Sequence, residues 1–74
     1  MKFVFEYKGQ PAIVLAFIMT IDLIVQGDDN FNFNVVLSNG DHHNFAFGSK
    51  PSASKARNKL IKMLNNYYMY QIKI

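Results

Sequence analysis

Phe31-Asn32-Phe33-Asn34-Val35-Val36-Leu37-Ser38-Asn39-Gly40-Asp41-His42-His43-Asn44-Phe45-Ala46-Phe47 is the stretch on which the fold turns. Phe31, Phe33, Val35 and Leu37 alternate with Asn32, Asn34 and Val36. That period of two marks a half-buried strand. After Ser38-Asn39-Gly40-Asp41 the alternation resumes, with His43, Phe45 and Phe47 opposite His42, Asn44 and Ala46. Asn-Gly between two alternating runs signals a hairpin, and a type I′ turn with both central residues at positive φ is expected.

On the C-terminal side, Gly48 to Ser54 reads as a loop entering a helix. Pro51 or Ser52 is the expected start, with a serine oxygen as the cap. Ala53, Ala56, Leu60, Met63, Leu64 and Tyr67 follow helical spacing, which makes the helix amphipathic. Asn65-Asn66 is the expected end, because Asn tolerates a left-handed cap. Tyr68, Tyr70, Ile72 and Ile74 then alternate as in a short last strand.

On the N-terminal side, Phe3, Phe5 and Tyr7 alternate with Lys2, Val4, Glu6 and Lys8, another strand pattern. Lys8-Gly9-Gln10-Pro11 reads as a turn. The run from Ala12 to Val25 carries only Thr20 and Asp22 as polar residues. Its β-branched content disfavours helix. Two strand pieces with a bend or bulge near Phe17 to Thr20 are expected; a buried helix over Pro11 to Met19 is the competing reading. From Thr20 onward Ile21, Leu23 and Val25 are expected on one face. Gly27-Asp28-Asp29-Asn30 is a polar loop. These elements predict one small α+β domain over residues 1–74. It is an antiparallel sheet or small open barrel of four to five strands, packed against one helix in the C-terminal half.

A chain of 74 residues buries only roughly 60% of its unfolded surface. With no Cys, neither a disulfide nor a thiol nucleophile is available. A dense core or self-association must stabilise it. Half the residues are apolar, with seven Phe and four Tyr, so a dense core is at hand. Met1 to Glu6 lacks the pattern of a signal peptide. The Ala12–Val25 run is shorter than the roughly 18 residues a membrane span needs, and it holds Asp22. A cytoplasmic location without membrane attachment is expected. The wealth of Asn, Lys, Ile, Phe and Tyr suggests a low-GC bacterium or its phage.

The charge is unevenly spread. Residues 1–41 hold two lysines against five acids; residues 42–74 hold six cations and no acid. Such asymmetry points to an electrostatic partner for the C-terminal half, unless the halves neutralise each other across the fold.

Catalytic residues are scarce. His42 and His43 are adjacent on a strand, so their side chains diverge. Ser38, Asp41 and one histidine are the only elements of a triad. Asp28 and Asp29 fit solvated turn residues better than paired acid–base carboxylates. A zinc site needs three or four ligands, which Asp41, His42 and His43 do not converge to supply. No catalytic residue, metal or cofactor is therefore expected.

Lys55, Lys59 and Lys62 recur at i, i+4 and i+7, one stripe of the helix. With Lys50 and Arg57 they form the expected surface for an acidic protein partner. The same stripe suits nucleic-acid phosphates as an alternative. Ser49, Ser52, Ser54 and Lys55 at the helix N-terminus suit a small anion or nucleotide as a second alternative. Tyr67, Tyr68, Tyr70 and Ile72 are the expected self-association surface of a homodimer, because Tyr is enriched at interfaces. The leading expectation is a non-enzymatic protein–protein interaction module, a small phage-type binder or inhibitor.

Overall fold

The computed structural model describes residues 4–7, 9–10 and 12–73, with side chains up to residue 69. At its centre lies the hairpin of β5 (Phe31–Leu37) and β6 (His42–Phe47). Its register runs from Phe31 opposite Phe47 to Val36 opposite His42. Phe33, Val35, Leu37 and Phe45 are buried, so the alternation places the inner face as expected.

The turn differs from the expected type I′. Gly40 N–H donates to Leu37 O at 2.9 Å, and Leu37 N–H donates to Asp41 O at 2.8 Å. Gly40 alone takes positive φ, at 92°, and Asn39 does not. This is the three-residue loop closed by a left-handed glycine bulge. Asn39 is engaged elsewhere: its Oδ1 accepts from Asp41 N–H at 3.0 Å, and its Nδ2 donates to Asp41 Oδ2 at 3.1 Å.

On the other flank of β5 lie β3 (Ile18–Ile21) and β4 (Val25–Gln26), end to end. β3 pairs with Leu37 to Val35 of β5, and β4 with Asn32 and Phe31, all antiparallel. A register shift between Ile18 and Thr20 marks a bulge. A second, two-stranded sheet joins β1 (Val4–Phe5) to β2 (Ile13–Val14). The chain passes from β2 to β3 through a single 3-10 turn, Leu15–Phe17. The apolar run is thus two strand pieces with both a bend and a bulge. The competing helix shrinks to this one turn.

One expectation fails beyond the bulge. Leu23 and Val25 do not share the buried face with Ile21; they are 74% and 58% exposed. Ile24 packs on the core instead. The strand breaks at residues 22–24, which resets the alternation. In the Lys2–Lys8 strand and the turn after it, Lys2, Phe3, Lys8 and Pro11 lie outside the described residues. Phe5 and Tyr7 do share a face, with rings stacked 6.0 Å apart.

The helix α1 spans Lys50–Lys73. It begins at Lys50, one residue before the expected start at Pro51, with Ser49 as its N-cap. Ser49 O accepts the first helical bond, from Ala53 N–H at 3.1 Å. Ser49 Oγ accepts from Ser52 N–H at 3.3 Å. Pro51 sits in the first turn, where its missing N–H costs nothing.

The expected end at Asn65-Asn66 and the strand after it are not formed; the helix continues to Lys73. Asn costs a helix only about half a kcal/mol relative to Ala, and no Gly or Pro follows it. Leu60, Met63, Leu64 and Tyr67 all reach the core at helical spacing, and this packing outweighs the weak stop. A helix of this length spans about 36 Å, against about 24 Å for β5.

Helix and hairpin enclose one core. Phe33 and Phe45 stack at 5.3 Å, and Phe5 meets Phe45 edge-on at 5.7 Å. Ala53 and Ala56 are fully buried; Ala56 belongs to the same cluster as the rings, and its small side chain lets the helix backbone come close. Leu60 fills the space beyond. The protein is therefore α+β, with its antiparallel sheet packed against one helix. Leu60→Ala is expected to cost about 2–5 kcal/mol, and Gly40→Ala about 1–2 kcal/mol, both read from urea unfolding. A loss below about 1 kcal/mol for Leu60→Ala would contradict this seating of the helix.

Candidate functional site

Lys55, Lys59 and Lys62 occupy one flank of α1, within about 60° of each other at 100° per residue. They face the segment that follows β1. Together with Asn58, Glu6 and Tyr7 they line an open groove of about 620 Å³. Lys59 Nζ lies over the Tyr7 ring, 5.5 Å from its centroid. Such cation–π contacts fix a lysine head over an aromatic face. Tyr7 is itself held, edge-on to Phe47 at 5.7 Å and stacked on Phe5. The groove therefore has a rigid aromatic wall and a row of ammonium groups on long apolar stems.

Lys50 and Arg57 do not join this row. They lie roughly 150–170° around the helix from it. Arg57 Nε donates to the main-chain oxygen of Asp22 at 2.8 Å, on the β3–β4 side of the sheet. The expected five-residue basic surface thus divides between two flanks.

The serines at the helix start are used in capping. Ser49 Oγ donates to Ser52 Oγ at 2.9 Å while accepting the Ser52 amide. Ser54 is half-buried. Lys55 belongs to the groove. In the tail, Tyr67 is half-buried against the core and Tyr68 is 49% exposed. Tyr70 and Ile72 are on helical backbone, and their side chains lie outside the described residues. Among the described residues the tail is helix, with no strand edge to pair with a second copy.

The four aspartates do not neutralise the basic half by contact. Among the described residues, Asp22, Asp28, Asp29 and Asp41 form no ion pair. All four are exposed. His42 and His43 do sit on opposite faces, His42 exposed and His43 half-buried, and among the described residues no cluster of three metal-ligating groups occurs.

The outer face of the sheet is polar. Asn44 Nδ2 donates to Asn32 Oδ1 at 3.1 Å and to Asn34 Oδ1 at 2.9 Å. Asn32 Nδ2 donates to Asn30 Oδ1 at 2.9 Å. Gly27 lies close beside them; a Cβ there would meet Asn30 Oδ1 at 2.7 Å and shift that side chain.

Sequence reasoning missed Tyr7, Glu6 and Asn58 as groove residues. The available signal was Tyr7 at the end of an alternating aromatic run, where a strand leaves the core. Compared with known proteins, the chain matches no family, no curated protein and no solved structure. Among the described residues no helix is long and apolar enough to cross a membrane.

Ser49→Ala is expected to lower stability by about 1 kcal/mol, the usual worth of an N-cap. It should leave the titration of inorganic phosphate, followed by backbone amide shifts, unchanged. A lost phosphate response would assign the serines to an anion site instead.

Proposed function

We propose that this protein is a non-enzymatic, cytoplasmic protein–protein interaction module whose Lys55–Lys59–Lys62 groove engages an acidic surface of a partner. The observation that carries this reading is the groove itself. A lysine row is joined to a fixed tyrosine ring, so charge and apolar contact are offered together. Exposed lysines alone are ordinary helix surface, and isolated surface ion pairs contribute little. Apolar stems and an aromatic wall give a partner something to bury, and that burial is the usual source of affinity at an interface core. A small phage-type binder or inhibitor fits this description.

An acidic protein is favoured over nucleic acid by the position of the aromatics. Single-strand binders stack bases on exposed rings. Phe33 and Phe45 are buried beneath the helix, and Lys59 lies over Tyr7. The groove thus offers one ring with a lysine head already over its face, beside charge and stems, rather than an open stacking platform for successive bases.

The test is fluorescence anisotropy with two labelled probes, a poly-glutamate peptide and a single-stranded oligonucleotide, at low and physiological salt. The peptide is expected to bind with a micromolar Kd, and Lys55→Glu/Lys59→Glu/Lys62→Glu to weaken it at least tenfold. Tighter binding of the oligonucleotide, with a steep salt slope, would replace this reading with the nucleic-acid one. Failure of both probes at low salt would remove the groove as a binding site.

A further inference from the structure

We infer that the acidic partner of the groove includes a second copy of this chain, bound head to tail through its β3–β4 edge. The inference rests on the groove reading above and names its occupant. Between Gly9 and Ser49 the chain has four acids and no lysine or arginine. Three of the acids, Asp22, Asp28 and Asp29, lie in the break after β3 and the turn after β4.

This edge is also apolar. Of the seven large hydrophobic side chains exposed among the described residues, three belong to β3, β4 or the break between them. Met19 is 63% exposed, Leu23 74% and Val25 58%. Asp22 and Leu23 together present a carboxylate beside an unburied aliphatic chain. That pair complements the groove, where lysine heads stand beside lysine stems and the Tyr7 ring. Arg57 reaches the same edge, but its Nε is committed to the Asp22 carbonyl.

The two surfaces cannot satisfy each other within one copy. Arg57, which touches the acidic edge, lies about 170° around α1 from the lysine row. Edge and groove therefore occupy opposite flanks of the helix. Charge also selects among the pairings of two copies. A two-fold contact puts each surface against itself. Edge on edge would then oppose carboxylates, and groove on groove would oppose lysines. Only edge on groove brings unlike charges together, and it is heterologous, so it extends beyond two copies unless the rotation closes.

Sedimentation equilibrium of the full chain over a concentration series tests this. At low salt the weight-average mass is expected to rise above the monomer's 8.5 kDa. In about 1 M salt, where the Debye length is about 3 Å, it should return to the monomer value. Lys55→Glu/Lys59→Glu/Lys62→Glu and Asp22→Lys/Asp28→Lys/Asp29→Lys should each stay monomeric, since each makes both surfaces alike in charge. Their equimolar mixture should associate again. Leu23→Ser should weaken association at least tenfold. All substituted residues are exposed, and far-UV circular dichroism confirms that each variant is folded. A wild-type chain that stays at 8.5 kDa while its groove still binds poly-glutamate would overturn the inference and leave the groove reading standing. Loss of poly-glutamate binding as well would overturn both. Association that persists in either charge-reversed variant alone would assign it to another surface, the Tyr67–Tyr68 helix end being the alternative.

Discussion

The stacked pair Phe33–Phe45 is the constraint on which the other elements depend. The two residues face each other directly across β5 and β6, with ring planes only 15° from parallel. A flat aromatic layer of this kind needs a close, smooth cover, and Ala56, with Leu60 beside it in the same buried cluster, contributes to one. Phe5 reaches the same layer edge-on and fixes where β1 leaves the core. Tyr7, two residues on, is thereby placed at the rim beside Phe47. Lys59 finds the ring because the helix is seated by Ala56 and Leu60 at that height. The groove is thus a by-product of core packing, which explains its rigid wall in so small a protein.

Electrostatics plays a different part from packing here. Among the described residues the four aspartates and the basic helix are displayed rather than paired with each other. Basic residues in the first turns of a helix are mildly unfavourable beside its positive end, and no acid in the first turn of α1 offsets them. The fold is held by aromatic and aliphatic burial, with its charges left for the surface. A layout of that kind carries a small stability cost in the isolated chain. It also leaves two oppositely charged flanks facing outward.

Much of the fold was legible in the sequence, for reasons that differ from element to element. The β5–β6 hairpin was readable because one face is buried, so a period of two had to be kept on both sides of the turn. The helix was readable from Ala53 to Tyr67 because a single flank meets the core. Its end was not, since Asn65-Asn66 is a weak stop and the packing of Tyr67 is a tertiary fact. The turn type was misread because Asn-Gly serves two loop geometries, and the side-chain bonds of Asn39 to Asp41 accompany one of them. Beyond Ile21 the alternation failed where β3 ends, which no local pattern announces. The lysine stripe was visible as i, i+4, i+7 spacing. The ring that completes the groove comes from a strand about fifty residues earlier, a distance along the chain that only the fold closes. Arg57 and Lys50 were grouped with the stripe by nearness in sequence, and the helical angle separates them.

The free side of β6 is partly closed by a side chain. The Gln10 side chain donates from Nε2 to Ala46 O at 2.9 Å, and its Oε1 accepts from Ala46 N–H at 3.4 Å. An amide side chain carries the same donor and acceptor as a peptide group, so it occupies one rung of a ladder that no strand among the described residues supplies. Exposed edges invite pairing with other chains. Here a single glutamine acts as a stopper, held by a rotamer rather than by a whole strand. Solvent exchange at the Ala46 amide would then follow rotation of one side chain, and the edge would open and close far faster than the sheet unfolds.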